Sequence, residues 1–199
     1  MNFDIKKVPP NIGYYLAGFV DAEGSFSVSF VAKRSMKSVA SKSLEESMDL
    51  LLLRKQSDSF PWKIVPSFAV DQKERHILAL LRKHLQCGNL TTSKEGISTY
   101  QVSNINALKD YIVPFFKKYR FHSAKKQRDF SNFCQILKIL EKEILMQEDI
   151  EKILSLRLNT AAVIANRKYS DSVILSYYLK KSSETNTPDS EVLRKERNS

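Results

Sequence analysis

The chain has 199 residues, of which 42% are hydrophobic and 27% are charged, and its formal net charge is +10 at pH 7. This length and composition are typical of one globular domain with or without a tail, and the positive charge favours a polyanionic partner. No apolar run approaches the ~20 residues that a membrane span needs, so we expect no membrane partner. The two cysteines, Cys87 and Cys134, lie far apart and are expected to be reduced thiols rather than zinc ligands.

A helix and a strand are predicted in direct succession near the start of the chain. Apolar residues recur at helical spacing over residues 12–23, with Asn11 as the N-cap. Gly24 follows, where a glycine in the left-handed conformation commonly ends a helix. From Ser25 the hydrophobic period changes to two, which predicts a half-buried strand over residues 25–32.

This helix carries small residues on one side and acids at its end. Gly13, Ala17 and Asp21 recur every fourth position, with Gly18 beside them, and such a stripe lets two helices approach closely. Asp21 and Glu23 lie in the last turn, at the negative end of the helix dipole, where a carboxylate is unfavourable by about 0.3–1 kcal/mol. We therefore expect a basic side chain or a hard cation such as Mg²⁺ nearby, the alternative being two solvated acids.

Residues 33–62 are predicted to be an insert between the first two strands. A capping-box pattern within it predicts a short helix, which Pro61 and its neighbours end. The basic residues Lys33, Arg34 and Lys37 are candidates to follow nucleic-acid phosphates, and the alternative is a solvated loop.

Three strands and a helix are predicted after the insert. Strand patterns cover residues 63–71, 89–93 and 97–103, and the last two flank Gly96 in a hairpin turn. Helical spacing of apolar residues covers residues 72–85.

Polar side chains alternate along the four predicted strands and form a candidate surface for reading base edges in a nucleic-acid groove. A solvated sheet face would show the same alternation. The candidates are Ser25, Ser27, Ser29, Thr92, Ser98 and Gln101.

The second half of the chain is predicted to be mainly helical and contains the most basic stretch. Six basic residues and one acid lie between Phe116 and Phe130, interleaved with aromatic residues that would anchor the segment on a core. The phosphate backbone of a nucleic acid is the natural partner of such a segment. Helices are predicted over residues 105–116 (broken early by Pro114), 130–146, 147–158 and 170–179, and a disordered tail over residues 181–199.

Residues 16–24, Leu-Ala-Gly-Phe-Val-Asp-Ala-Glu-Gly, resemble the nine-residue motif of the LAGLIDADG homing endonucleases, with Glu23 in place of the usual second aspartate. Residues 68–73 and 123–130 also resemble segments of that family. The resemblance implies an α+β fold of αββαββα order, in which four antiparallel strands form a saddle-shaped sheet backed by helices, with extra helices at the C-terminal end. We expect one such domain over residues 1–180.

The resemblance also implies a metal-dependent site that cuts double-stranded DNA. It assigns Glu23, with the Ala22 carbonyl, to a divalent metal at the scissile phosphates, Mg²⁺ with Mn²⁺ as an alternative. It assigns Gln72 to the attacking water. His76, one helical turn beyond Gln72, has either a supporting role or none.

A lysine of the basic stretch would lie beside the scissile phosphate in such an enzyme. The resemblance assigns this lysine to Lys125, with Lys126 as its rival. Asp21 is assigned to the structure of the helix end rather than to the metal.

One copy of the motif is present in the sequence, and the family needs two motif helices side by side to place two acids across the minor groove. The resemblance therefore implies a homodimer that meets through Gly13, Ala17, Gly18 and Asp21, and a nearly palindromic target. Relatives that act as RNA maturases on their own intron, or that bind DNA without cutting it, keep two alternatives open. An organelle and the bacterial cytoplasm are both open as the compartment.

Overall fold

The computed structural model describes residues 4–32, 62–157 and 170–176. The chain divides into two compact units, Met1–Lys142 and Glu143–Ser199, where the sequence predicted one domain over residues 1–180. The predicted tail lies outside the described residues, as does the predicted insert up to residue 61 with Lys33, Arg34 and Lys37.

The described part of the first unit contains four strands and four helical segments after a short 3₁₀ turn, Ile5–Lys7. In chain order they are α1 (Pro10–Glu23), β1 (Gly24–Ala32), β2 (Trp62–Gln72), α2 (Arg75–Leu85), β3 (Asn89–Thr92), β4 (Ser98–Val102), α3 (residues 105–118) and α4 (Ala124–Ile139). The strand predictions are confirmed to within one residue at each end.

The four strands form one antiparallel sheet in the order β1-β2-β4-β3. Gly24 pairs with Val70 at one end of the β1–β2 ladder, and Ala32 pairs with Trp62 at the other end. β4 lies between β2 and β3 and pairs with both. This arrangement confirms the predicted α+β fold and its αββαββα order.

The helix-facing side of the sheet is built around aromatic rings from even-numbered strand positions. Phe26 is part-buried in this core, and its ring centroid lies 5.1–6.2 Å from those of five other rings. The five are Phe68, Phe116, Phe121, Phe130 and Phe133. Such offset and edge-to-face pairs add about 0.5–1.5 kcal/mol each to the burial of apolar area. Because Phe26 follows Glu23 by three residues, the core fixes the end of α1.

One side of α1 is buried within the first unit. Val20 is fully buried and Ala17 is 2% exposed. Gly13 lies against the ring of Tyr119, since a β-carbon on Gly13 would fall 2.2 Å from that ring. The Tyr119 hydroxyl donates a hydrogen bond to the Val8 carbonyl at 3.0 Å, which holds the ring in place.

Both ends of α1 differ from the prediction. Pro9 is the N-cap and Pro10 the first helical residue, so Asn11 lies inside the first turn, where proline with its fixed φ starts the helix well. Gly24 is extended (φ -76°) rather than left-handed. A β-carbon on Gly24 would lie 2.5 Å from the Val20 side chain, so this glycine is required for space as the chain passes from helix into strand.

The boundaries of α2 and α3 also differ from the prediction. β2 continues to Gln72, so α2 begins at Arg75. Pro114 does not break α3, because a π-helical turn over Leu108–Ile112 changes the hydrogen-bond register just before it. The helix then continues to Lys118.

The helix α4 begins six residues before its predicted start at residue 130. Ser123 caps it, with its hydroxyl accepting from the Lys126 N–H, and Ala124 is the first helical residue. The helix ends at Ile139 rather than at Met146. The basic residues from Lys125 onward therefore stand on the first turns of a helix rather than on a loop.

In the second unit the structure describes α5 (Gln147–Arg157) and a helical stretch over residues 171–176. Ile150 and Ile153 are fully buried, and Arg157 forms an ion pair with Asp171. The last two predicted helices are confirmed over the residues described. Among the described helices, none combines the length and apolar character that crossing a membrane requires.

Candidate active site and nucleic-acid interface

One face of the sheet carries polar and small side chains, all at odd-numbered positions. Successive residues of a strand point to opposite faces, and the even-numbered residues form the core. We call the odd-numbered side the polar sheet face. Its polar members are Ser25, Ser27, Ser29, Lys63, Ser67, Asp71, Asn89, Thr91, Thr99 and Gln101.

Hydrogen bonds between strands orient several side chains on the polar sheet face. The Thr99 hydroxyl donates to Asp71 Oδ1 at 2.5 Å. The Gln101 amide donates through Nε2 to Ser67 Oγ at 2.9 Å. A side chain that is already fixed loses less conformational entropy when it binds a ligand. The polar sheet face thus presents donors and acceptors in a defined pattern.

Two residues predicted for this surface lie on the opposite face. Ser98 is 1% exposed, and its hydroxyl lies 2.9 Å from that of Thr92. Because a strand alternates, Ser98 and Gln101, three residues apart, cannot share a face. The predictions for Thr92 and Ser98 are therefore corrected, and the register puts Thr91 and Thr99 in their place.

Glu23 is the last residue of α1, and its side chain is exposed. Since Gly24 pairs with Val70, the junction of α1 and β1 lies beside the end of β2. Gln72 is the last residue of that strand, and its Oε1 accepts from the Lys73 N–H at 2.9 Å. Glu23 and Gln72 are thus at the same end of the sheet.

Asp21 is bound to the start of α4. Its carboxylate accepts from the backbone N–H groups of His122 at 2.8 Å and Ser123 at 2.9 Å, and from the Ser123 hydroxyl. Partial burial raises the pKa of Asp21, but the hydrogen bonds from Ser123 and His122 outweigh it and hold that pKa below its usual value. Because the Asp21 carboxylate already accepts these hydrogen bonds within its own chain, it is not available for the predicted contact between two α1 helices of a dimer.

Lys126 is the lysine that reaches the end of α1. Its ammonium donates a hydrogen bond to the Gly24 carbonyl. Burial lowers the pKa of Lys126, and the neighbouring carboxylates, Glu23 among them, oppose that effect. Lys125 is exposed on the same helical turn. The lysine beside Glu23 is therefore Lys126, which was the rival in the sequence prediction, and not Lys125.

Two further polar residues complete the description of the site. His76 pairs with Glu74 across 3.6 Å at the start of α2, with 77% of its side chain exposed. Ser123 was missed by sequence reasoning, although a serine directly before a helical pattern is a recognisable N-cap signal. Ser123 thus joins the residues that determine where the basic helix α4 begins.

The exposed side of α1 is not the side that was predicted to contact the α1 helix of a second chain. Gly13 and Ala17 are buried within their own chain, which corrects those two predictions. Gly18 is exposed, and a β-carbon there would meet nothing within 4 Å. Tyr15 and Ala22 share that exposed side at helical spacing.

Among the described residues, no three histidine, cysteine or acidic side chains cluster in a way that would hold a metal ion. Glu23 offers one exposed carboxylate, and the Ala22 carbonyl, two residues before the C-cap at Gly24, has no following helical N–H donor. Hard cations such as Mg²⁺ bind through a few protein oxygens and fill their other positions with water and phosphate. The donor set fits a cation shared with a bound phosphate.

A family model described as LAGLIDADG endonuclease matches residues 16–137, more than half of the chain. The chain belongs to the LAGLIDADG endonuclease family. The matched region begins in the motif helix α1 and ends in α4, so it contains Glu23, Gln72 and Lys126.

Two curated relatives illustrate the range of the family. The chain is 27% identical over 114 residues to a probable intron-encoded DNA endonuclease of Mycosarcoma maydis, across 56% of this chain and 32% of the relative. It is 25% identical over 130 residues to homing endonuclease I-ApeII of Aeropyrum pernix, across 64% of each. The chain thus spans less than two thirds of the length of these relatives.

Solved structures share the fold. An archaeal intron-encoded homing endonuclease complexed with DNA has a TM-score of 0.63 and 26% identity, over 87% of this chain and 97% of that chain. I-SmaMI, bound to an uncleaved DNA target in the presence of calcium ions, has a TM-score of 0.58 and 25% identity, over 85% of this chain and 49% of its own. This chain therefore matches about half of I-SmaMI.

Proposed function

We propose that this protein is a site-specific endonuclease of the homing type, which cuts both strands of duplex DNA at a long, nearly palindromic target with the help of a divalent metal. The observation that carries the proposal is the approach of the Lys126 ammonium to the junction of α1 and β1, directly after Glu23 and at the same end of the sheet as Gln72. A carboxylate, an amide and an ammonium are the groups that phosphodiester hydrolysis can use for a cation, a water and a phosphate.

Each group has a distinct role in this proposal. Glu23 and the Ala22 carbonyl would hold Mg²⁺ or Mn²⁺, and a cation so bound supplies Lewis acidity towards the phosphate and lowers the pKa of water. The amide of Gln72 would orient the attacking water. The Lys126 ammonium has three N–H donors and uses one on Gly24, so the others are free to bind the phosphate as negative charge develops on it.

Cutting both strands requires two such sites, and this chain carries one motif. We therefore include a homodimer in the proposal, formed through the exposed side of α1 with Tyr15, Gly18 and Ala22. Gly18 leaves space for the close approach of a second helix. A two-fold axis through this face would match a palindromic target. The match of this chain to about half of I-SmaMI supports two units of this size acting together.

The test is the selection of cleaved sites from a randomised, partly palindromic duplex library, with Mg²⁺ or with EDTA. We expect metal-dependent double-strand cuts at one enriched sequence by the wild type and none by Glu23→Gln. Glu143→Gln changes an exposed acid of the second unit and should cut like the wild type. If the wild type enriches a sequence but does not cut it, the protein binds DNA without cleaving it. Preferential retention of structured intron RNA would favour a maturase.

The dimer is tested by the molecular mass in solution. We expect twice the chain mass for the wild type and a single chain for Gly18→Glu, because the new charge would face the second helix. Helical content should be unchanged in that variant, since the site is open within the chain. A wild-type mass of one chain, with or without target DNA, would overturn the homodimer.

A further inference from the structure

One carboxylate fastens the start of α4 to the end of α1. Asp21 receives the N–H groups of His122 and Ser123 and the hydroxyl of Ser123. The same hydroxyl accepts from the Lys126 N–H at 3.3 Å and so caps the first turn of α4. Asp21 and Ser123 together therefore set both the position and the starting residue of this helix. We call this pair the clamp.

The side chain of Lys126 returns from that first turn to the segment that carries Asp21. Its ammonium donates to the carbonyl of Gly24, three residues after Asp21. Both contacts, Asp21 with Ser123 and Gly24 with Lys126, join positions 102 residues apart in the sequence. A lysine side chain has many rotamers, so a fixed backbone at its base and a fixed acceptor at its tip are both needed to hold its charge in one place.

We propose that Asp21 and Ser123 are positioning residues, whose clamp on α4 places the Lys126 ammonium over the junction of α1 and β1. The effect on cleavage rests on the proposed function, whereas the placement of the ammonium does not. A clamp that served stability alone would weaken folding, DNA binding and cleavage together. If the clamp positions Lys126, its removal should slow cleavage but leave folding and DNA binding nearly unchanged, because the ammonium would be displaced while the polar sheet face remained intact.

The first test measures lysine reactivity in the full chain without DNA. Acetylation is followed by mass spectrometry at several pH values, and the rate of the deprotonated amine is compared between Lys126 and its exposed neighbour Lys125, which is the internal control. In the wild type we expect Lys126 to react several times more slowly than Lys125. In Asp21→Asn and in Ser123→Ala the two rates should converge through faster reaction at Lys126. Asp110→Asn, an exposed acid on α3, should leave both rates unchanged.

The second test separates binding from chemistry. Single-turnover cleavage by Asp21→Asn and Ser123→Ala should be slower by about tenfold or more, since a misplacement of 1 Å is enough for such a loss. The Kd for target DNA should change by less than about twofold. The double variant should be little worse than Asp21→Asn alone, because the two substitutions weaken the same clamp.

The outcomes distinguish the two proposals. If the rate at Lys126 stays low in both variants, the clamp does not position the ammonium, whatever happens to cleavage. If the wild type cuts no DNA, the proposed function fails, and the reactivity of Lys126 still decides the placement. If Asp21→Asn does not fold, Ser123→Ala carries the test, because it leaves the two backbone donors to Asp21 in place.

Discussion

The ring of Tyr119 occupies the space that a side chain on Gly13 would need, since a β-carbon there would lie 2.2 Å from the ring. Tyr119 is 1% exposed and bonded to Val8, so it has little room to move. We expect Gly13→Ala to lower the free energy of unfolding by about 1–3 kcal/mol, as overpacking commonly does. Urea unfolding measures this. Asn11→Ala, at an exposed position on the first turn of the same helix, should be neutral or stabilising by up to about 1 kcal/mol. Equal values for the two variants would contradict the packing.

The two neighbouring lysines should have different effects on DNA cleavage. Lys126→Ala removes the ammonium beside Glu23 and should slow single-turnover cleavage by about 10² or more at saturating enzyme. Lys125→Ala should leave the cleavage rate near that of the wild type, and at most weaken DNA binding and lower its salt slope by about one. Cleavage kinetics and salt-dependent binding measure the two effects. A larger loss of cleavage in Lys125→Ala would restore the original assignment.

Asp71 should contribute to the choice of DNA sequence. Thr99 holds one of its carboxylate oxygens, and Asp71 precedes Gln72 at the end of β2. A carboxylate in a major groove accepts a hydrogen bond from the amino group of cytosine, worth about 1–3 kcal/mol of discrimination. We expect Asp71→Asn to change the preferred base at one position of each half-site, near the cut. Profiling of cleaved libraries measures this. A profile identical to that of the wild type would exclude Asp71 from base reading.

Tyr100 should make stability fall at alkaline pH. Its ring is fully buried, its hydroxyl donates to the Cys87 carbonyl at 2.9 Å, and burial raises its pKa well above the usual value. The unfolded chain therefore loses this proton first, so the stabilisation is complete below pH ~10 and is lost as the pH rises further. At pH 8, Tyr100→Phe should be less stable than the wild type by about 1 kcal/mol.

Above pH ~10 the gap between Tyr100→Phe and the wild type should close by up to about 1.4 kcal/mol per pH unit. Urea unfolding at several pH values measures it. Tyr14→Phe, at an exposed tyrosine whose ring contact with Tyr119 a phenylalanine keeps, is the matched control and should follow the wild type throughout. A gap that stays constant with pH would show that the Tyr100 phenol ionises equally in the folded and unfolded chains.

Local patterns in the sequence predict much of this fold, because the sheet has one apolar and one polar face. The strands and the position of Glu23 follow from such patterns and from the motif. The choice between Lys125 and Lys126 does not, since it depends on where α4 begins, and Asp21 contributes to that from about a hundred residues away. The burial of Gly13 depends in the same way on a distant ring. Ser98 differs, because strict alternation along β4 would have placed it correctly.

Because side chains alternate along the four strands, the residues that face a bound DNA and the residues that form the core can be changed separately. Every residue of the polar sheet face has an odd number, and the core residues that pack beneath the same strands, such as Phe26 and Phe68, have even numbers. If the polar sheet face reads DNA as proposed, a library that varies the odd-numbered strand codons alone would sample new targets while leaving the even-numbered core positions unchanged. Retargeting and folding stability would then be optimised in separate rounds, with the end of α1 as the segment in which both constraints meet.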